Sequence, residues 1–219
     1  MTAAGATAAW VADAEREAPL DLVVANAGVT ERTAGVPPGD LEGGARATLD
    51  VNVLGAFNTV FPALAGMRAR GRGQVCVVAS ISGFTQFSPF DGYSASKAAV
   101  RLWAEGLRYR LAREGVRVSV VCPGYIATPM TDAFQGSLNL MGMVSSGVAA
   151  ARIADGLARD EPLIAFPATT YLLAWAVSCL PLPLKDVLAA SGLFAEVRYD
   201  RGGGAGGGGA GRAQPLTRD

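Results

Sequence analysis

Four short apolar runs punctuate the chain: Leu22–Ala25, 74–79, 117–122 and Leu163–Phe166. Each is too short for a helix and has a nearly continuous apolar interior. That pattern predicts strands buried on both faces, as in a parallel sheet. The stretches between them carry a helical period instead. Residues 1–20 read as one helix, with Ala4, Ala8, Val11 and Ala14 recurring at helical spacing and Trp10 beside them. Asp40 is placed to cap a long helix through Asn52, Phe57 and Leu64 that ends near Gly71, although Gly43 and Gly44 weaken its first turn. Asp91 is placed to cap a further helix. That helix turns Ala99, Leu102, Leu107 and Leu111 inward and stops at Gly115. Strand and helix signals thus alternate, which predicts an α/β protein with a parallel sheet covered by helices.

Beyond Met130 the pattern loosens. Residues 131–147 mix Gly, Ser, Asn and Met and read as a connector. Residues 163–184 are strongly apolar but are broken by Pro167, Pro181 and Pro183. The pieces fall short of the about 20 residues a membrane span needs. They predict a buried strand and a packed or dimer-facing helix, with membrane-surface association the lesser reading. Residues 201–219 form a Gly/Ala tail that cannot bury a core and is expected to be disordered. One domain over residues 1–200 is therefore expected.

Composition narrows the chemistry. The chain has 219 residues, half of them hydrophobic, and a formal net charge of zero. Nothing in that balance favours nucleic acid or an anionic membrane. Cys76, Cys122 and Cys179 lie far apart in apolar settings, read as buried free thiols, and have no metal spacing; a reducing, cytoplasmic compartment fits them. No charged-then-apolar leader opens the sequence. There is no histidine, which excludes a Ser-His-Asp or Cys-His nucleophile system and any His-based zinc site.

Against that background one constellation stands out. Tyr93 and Lys97 are four apart and share a helix face. An ammonium beside a phenol favours the phenolate, so the tyrosine is expected to titrate below its usual value of about 10. Such a phenol can pass a proton to or from an alcohol or ketone oxygen. Ser80, thirteen positions upstream, can hydrogen-bond the same oxygen. That spacing selects Ser80 over its neighbour Ser82.

These residues resemble the short-chain dehydrogenase/reductase family, in family order, from about Asp21 to Pro167. Leu22-Val23-Val24-Ala25-Asn26-Ala27-Gly28 is similar to a strand ending in Asn-Asn-Ala-Gly, with Ala25 in place of the first Asn. Asn52-Val53-Leu54-Gly55 resembles the helix with the family's catalytic Asn. Residues 77–83 resemble the strand end with the catalytic Ser, Tyr93 to Lys97 the Tyr-x-x-x-Lys, and residues 122–130 the loop that holds the nicotinamide. Any one of these is weak; four in order are specific.

The resemblance implies a Rossmann-like, doubly wound fold and hydride transfer between NAD or NADP and an alcohol or ketone. It assigns Tyr93 as general acid/base and gives Lys97 two tasks, tuning Tyr93 and holding the nicotinamide ribose. Ser80 would bind the substrate oxygen, and Asn52 a water linking Lys97 to solvent. Asn26, Ala27 and Gly28 would shape the adenosine-side wall. Pro123 and Gly124 would turn the chain under the nicotinamide, and Thr128 with the Ile126 backbone would hold its carboxamide. Residues 131–147 would correspond to a lid. Apart from the resemblance, Phe84, Phe87, Phe90, Tyr125 and Phe134 flank these positions and read either as an apolar pocket for a hydrophobic alcohol or ketone or as core packing. A homo-oligomer paired through the helices carrying Asn52 and Tyr93 is expected, with no metal.

One family feature is missing. No Thr-Gly-x-x-x-Gly-x-Gly turn for the cofactor pyrophosphate precedes Asp21. The sequence reads as N-terminally truncated by on the order of two βαβ lengths of about 30 residues each. The residue that chooses NAD or NADP belongs to that part. Leu22–Ala25 would then be a free apolar edge. A catalytically silent fragment or a scaffold unable to bind cofactor is the alternative.

Overall fold

The computed structural model describes residues 1–85, 90–131 and 142–191. In chain order its elements are α1 (Ala4–Glu17), β1 (Leu22–Ala25), α2 (Leu41–Thr48), α3 (Gly55–Arg70), β2 (Gly73–Val78), α4 (Asp91–Leu111), β3 (Val116–Pro123), β4 (Ile126–Ala127), β5 (Val144–Ser145), α5 (Ser146–Ala158), β6 (Leu163–Phe166), α6 (Ala168–Ser178) and α7 (Leu182–Ala190). A π-helical segment, Leu49–Leu54, joins α2 to α3. The main sheet has four strands in the order β1-β2-β3-β6. All are parallel, with Val23 opposite Val75, Val75 opposite Val118 and Val121 opposite Ile164. This is the Rossmann-like arrangement expected. The expected tail lies outside the described residues, as do Phe87, Phe134 and most of the expected lid.

Burial follows position in the sheet. β2 and β3 are covered on both faces, as their apolar runs require. β1 is not: Val23 and Ala25 are buried, while Leu22 and Val24 are each 43% exposed. The expectation of two buried faces fails there because α1 and α3 cover only one side of this strand. Among the described residues β1 is also a sheet edge, as expected. Val60, Met67 and Val75 are fully buried between α3 and the sheet, with Val100, Ala104 and Leu107 on the side of α4. Burying such a side chain is worth about 1.5–3 kcal/mol. Exposed pairs such as Arg46–Glu42 are worth about 0–1 kcal/mol, so the sheet–helix layers hold the fold.

Several local expectations are met or corrected. Asp40 caps α2, accepting from the Gly43 amide at 2.9 Å. The long helix ends at Gly71, and α4 ends in a short turn before Gly115; both glycines have positive φ. A Cβ on Gly115 would run into the Gly71 carbonyl oxygen, so glycine is required there. Of the residues expected inward on α4, Leu107 and Leu111 are buried, but Ala99 and Leu102 point outward, Leu102 at 60% exposure, and Val100 and Ala104 take their places. Asp91 does not cap α4, which has no side-chain cap at Phe90. Cys76 and Cys122 are buried free thiols, but Cys179 is exposed because it sits at the C-terminus of α6, away from the sheet. No helix among the described residues is long and apolar enough to cross a membrane.

Candidate active site

A cavity of about 500 Å³ opens at the C-terminal ends of β1, β2 and β3. Ligands in open α/β sheets bind at this end of the strands. Asn26, Ala27 and Gly28 form the wall beyond β1, Ser80 lies beyond β2, and Pro123, Gly124, Ile126 and Thr128 lie beyond β3. Tyr93 and Lys97 reach in from the first turns of α4. All the expected site residues except Asn52 therefore share one cavity.

Each position has a local cause. The strand ends at Val78, and Ser80 then caps a single 3₁₀ turn, accepting from the Ser82 amide at 3.1 Å. Its hydroxyl is in hydrogen-bond contact with the Tyr93 phenol. Ser82, whose backbone amide donates to Ser80, also lines the cavity. Lys97 is buried and donates to the Val78 carbonyl at 2.8 Å. Its Nζ lies 5.7 Å from the centre of the Tyr93 ring. Beyond β3, the Gly124 amide donates to the Phe166 carbonyl at 2.7 Å and fixes the turn under the cavity.

Electrostatics correct one expectation. Tyr93 does not titrate below its usual value. Burial pushes it up, a hydrogen bond from Ser80 opposes this, and Tyr125, Glu31 and Cys122 add to the rise. Burial likewise pulls Lys97 down to about 8. The low-dielectric pocket therefore outweighs the attraction between ammonium and phenolate. Near neutral pH Tyr93 is a protonated phenol, in the form that can donate a proton.

Asn52 is held away from the cavity wall. The π-helical segment turns it toward Val29, whose amide donates to Oδ1 at 2.8 Å. Its Nδ2 donates to the Val29 carbonyl at 2.9 Å and to the Ser96 hydroxyl at 2.8 Å. Both amide hydrogens are thus used on protein. Ser96 in turn donates to the Tyr93 carbonyl at 2.7 Å, so Asn52 braces the strand-end loop against α4. Gly28 lies at the junction. A Cβ there would stand 3.1 Å from Lys97 Nζ and 3.2 Å from Asn52 Oδ1, so only glycine leaves both in place.

Other residues organise the site without having been legible beforehand. The Thr131 hydroxyl donates to the Ile126 carbonyl at 2.5 Å and accepts from the Thr128 amide at 3.1 Å. It thereby closes the loop that carries Thr128. Phe90 and Tyr125 line the cavity, but Phe84 does not. Phe84 stacks edge-on against Tyr171, 5.3 Å between centres, and under the Arg101 guanidinium at 4.2 Å. Thr170 of α6 reaches the cavity instead.

This constellation has known counterparts. The short chain dehydrogenase family model matches residues 1–138. The chain belongs to the short-chain dehydrogenase family. An uncharacterized oxidoreductase of Myxococcus xanthus is 33% identical over 172 residues, covering 78% of this chain and 66% of that protein. An acetoacetyl-CoA reductase of Paracoccus denitrificans is 34% identical over 131 residues, covering 58% of this chain and 52% of that protein. The chain thus spans two thirds of the Myxococcus relative or slightly less, and about half of the Paracoccus one. A short-chain dehydrogenase from Burkholderia cenocepacia, solved in complex with NADP, superposes with a TM-score of 0.70 at 25% identity, over 88% of this chain and 77% of that one.

Proposed function

We propose that this chain carries the proton-transfer and nicotinamide-side machinery of an NAD(P)-dependent oxidoreductase acting on a hydrophobic alcohol or ketone. The observation that carries this reading is the meeting of Ser80, Tyr93 and Lys97 in one cavity bounded by Gly28 and by residues 123–128. Relatives named as oxidoreductases and a neighbour solved with NADP support it.

The residues present fit the nicotinamide side of such a cofactor. The bare α-carbon of Gly28 leaves the approach to Lys97 open, and the loop stiffened by Thr131 offers Thr128 and the Ile126 backbone for an amide group. Lys97 would hold ribose hydroxyls. A Gly-rich turn for the pyrophosphate is not found in these 219 residues. Bound nicotinamide would supply or accept the hydride at the substrate carbon.

The chain's own groups handle the proton. Tyr93, kept protonated by burial, donates to the substrate oxygen in reduction; in oxidation it takes the alcohol proton only from its phenolate form, which must first have released its own proton. Ser80 donates a hydrogen bond to the same oxygen and holds it in line with the phenol. Lys97, with a pKa near the working range, supports charge on the phenolate once it forms. Val78, Ile81, Phe90 and Met130 give the cavity an apolar lining that suits a hydrophobic substrate and excludes water. A cytoplasmic setting and a homo-oligomer belong to the same reading. Phe61 on α3 and Leu102 on α4 are 51% and 60% exposed, on the helices expected to pair.

The test is oxidation of NADPH and NADH with a panel of hydrophobic ketones, comparing the wild-type chain with Tyr93→Phe. Turnover that disappears in the variant, with its fold and cofactor binding retained, supports the reading. Equal turnover in both would remove Tyr93 from the chemistry.

A further inference from the structure

The turn after β1 presents two adjacent, oppositely charged side chains to opposite walls of the cavity. Glu31 Oε1 accepts from the Tyr93 backbone amide at 2.9 Å. That amide is one of the first-turn donors of α4, and α4 has no side-chain cap of its own. Glu31 therefore caps the helix from a distance of 62 residues in sequence. A carboxylate at a helix N-terminus is also favoured by the helix dipole.

The surroundings make room for this carboxylate. A Cβ on Gly44 would stand 2.7 Å from Glu31 Cγ, and one on Gly92 2.9 Å from Glu31 Oε1. Both helices carry glycine where Glu31 passes, which accounts for a glycine that weakens the first turn of α2. The turn itself is braced. Thr30 and Thr33 exchange backbone and hydroxyl hydrogen bonds at 2.8 and 3.2 Å, and the Ala34 amide donates to the Thr30 carbonyl at 2.9 Å. From the same turn Arg32 Nη2 donates to the Met130 carbonyl at 2.8 Å.

We propose that Glu31 is a positioning residue, which holds Tyr93 in register with Ser80 by capping α4 at the tyrosine's own amide, while Arg32 ties the same turn to the loop across the cavity. This rests on Tyr93 being the acid/base, and it adds a residue that no family motif in the sequence marks. Among the described residues, the groups facing the phenol are Lys97 on α4, Ser80 beyond β2, Cys122 on β3, Tyr125 after β3 and Glu31 after β1. Glu31 is the carboxylate among them, and it disfavours the phenolate. Removing its charge lowers the Tyr93 pKa; removing its oxygen releases the helix start.

The experiment follows Tyr93 by NMR with ¹³Cζ-labelled tyrosine, assigned with Tyr93→Phe, alongside kcat and KM. Glu31→Ala is expected to lower kcat by about 10- to 100-fold with little change in KM, and to shift the Tyr93 resonance. Glu31→Gln keeps an acceptor oxygen, so its kcat stays within about threefold of wild type while the Tyr93 titration and the alkaline limb of the rate profile both move to lower pH. A wild-type kcat in Glu31→Ala overturns the proposal. So does a loss in Glu31→Gln as large as in Glu31→Ala with the Tyr93 titration unmoved. If Glu31→Ala does not fold, Gly44→Ala displaces the same carboxylate and must shift the Tyr93 resonance; an unmoved resonance overturns the proposal. If the wild-type chain turns over no alcohol or ketone, the functional reading fails, and the Tyr93 titration in Glu31→Gln alone decides whether Glu31 acts on Tyr93.

Discussion

Lys97→Met should make the protein more stable near neutral pH, at the expense of the proton transfer proposed for this site. Lys97 is buried, and its pKa falls from 10.5 to about 8. At about 1.4 kcal/mol per unit, keeping its ammonium in this pocket at pH 7 costs the folded state about 3 kcal/mol. The sign follows from proton counts. Between pH 8 and pH 10.5 the unfolded chain binds the extra proton, so the Lys97 contribution to stability rises with pH there. Below pH 8 the penalty is fully present. Methionine has a similar shape and no charge. It loses the hydrogen bond to the Val78 carbonyl, worth about 1 kcal/mol net. The expected gain at pH 7 is therefore about 2 kcal/mol. It should shrink by about 1 kcal/mol on going to pH 9, as wild-type Lys97 sheds its proton. Urea unfolding of both proteins at pH 7, 8 and 9 reads this directly. A variant less stable than wild type at pH 7, with a difference that does not change with pH, would refute the burial argument.

Asn52→Ala should cost about 2–4 kcal/mol in urea unfolding, because it leaves the Val29 amide and carbonyl without their partner and removes one of the two hydrogen bonds of the Ser96 hydroxyl. A loss below about 1 kcal/mol would show that the brace is redundant. If the chain pairs through α3 and α4 as proposed, Leu102→Glu on the exposed face of α4 should convert the pair to a folded monomer in sedimentation. An unchanged sedimentation profile would contradict pairing through α4.

Much of the sheet was legible because strands buried on both faces leave an uninterrupted apolar signature. β1 and β6 fall on the residues read from the sequence, β2 lies one residue earlier than expected, and β3 extends one residue past each expected end. The site was legible where its residues lie on regular elements at fixed spacing, as with Tyr93 and Lys97 on one helix face. What escaped depends on tertiary contacts between distant segments. The cap of α4 comes from Glu31, not from adjacent Asp91. The phase of the buried stripe on α4 is set by which side meets the sheet, so Leu102 lies outside and Ala104 inside. Phe84 belongs with Tyr171 of a helix 87 residues further on. The Tyr93 pKa was read from one neighbour, whereas burial of the whole pocket decides it.

The most direct test of the nicotinamide-side cavity is a fluorescence titration of the chain with NADPH and NADH, run beside Gly28→Val. The branched side chain would collide with Lys97 Nζ and Asn52 Oδ1 at the cavity wall. Saturable binding by the wild type, at least about tenfold weaker in the variant, is the predicted result. Equal binding by both proteins, or binding by neither, would contradict a cofactor seated against Gly28 and Lys97.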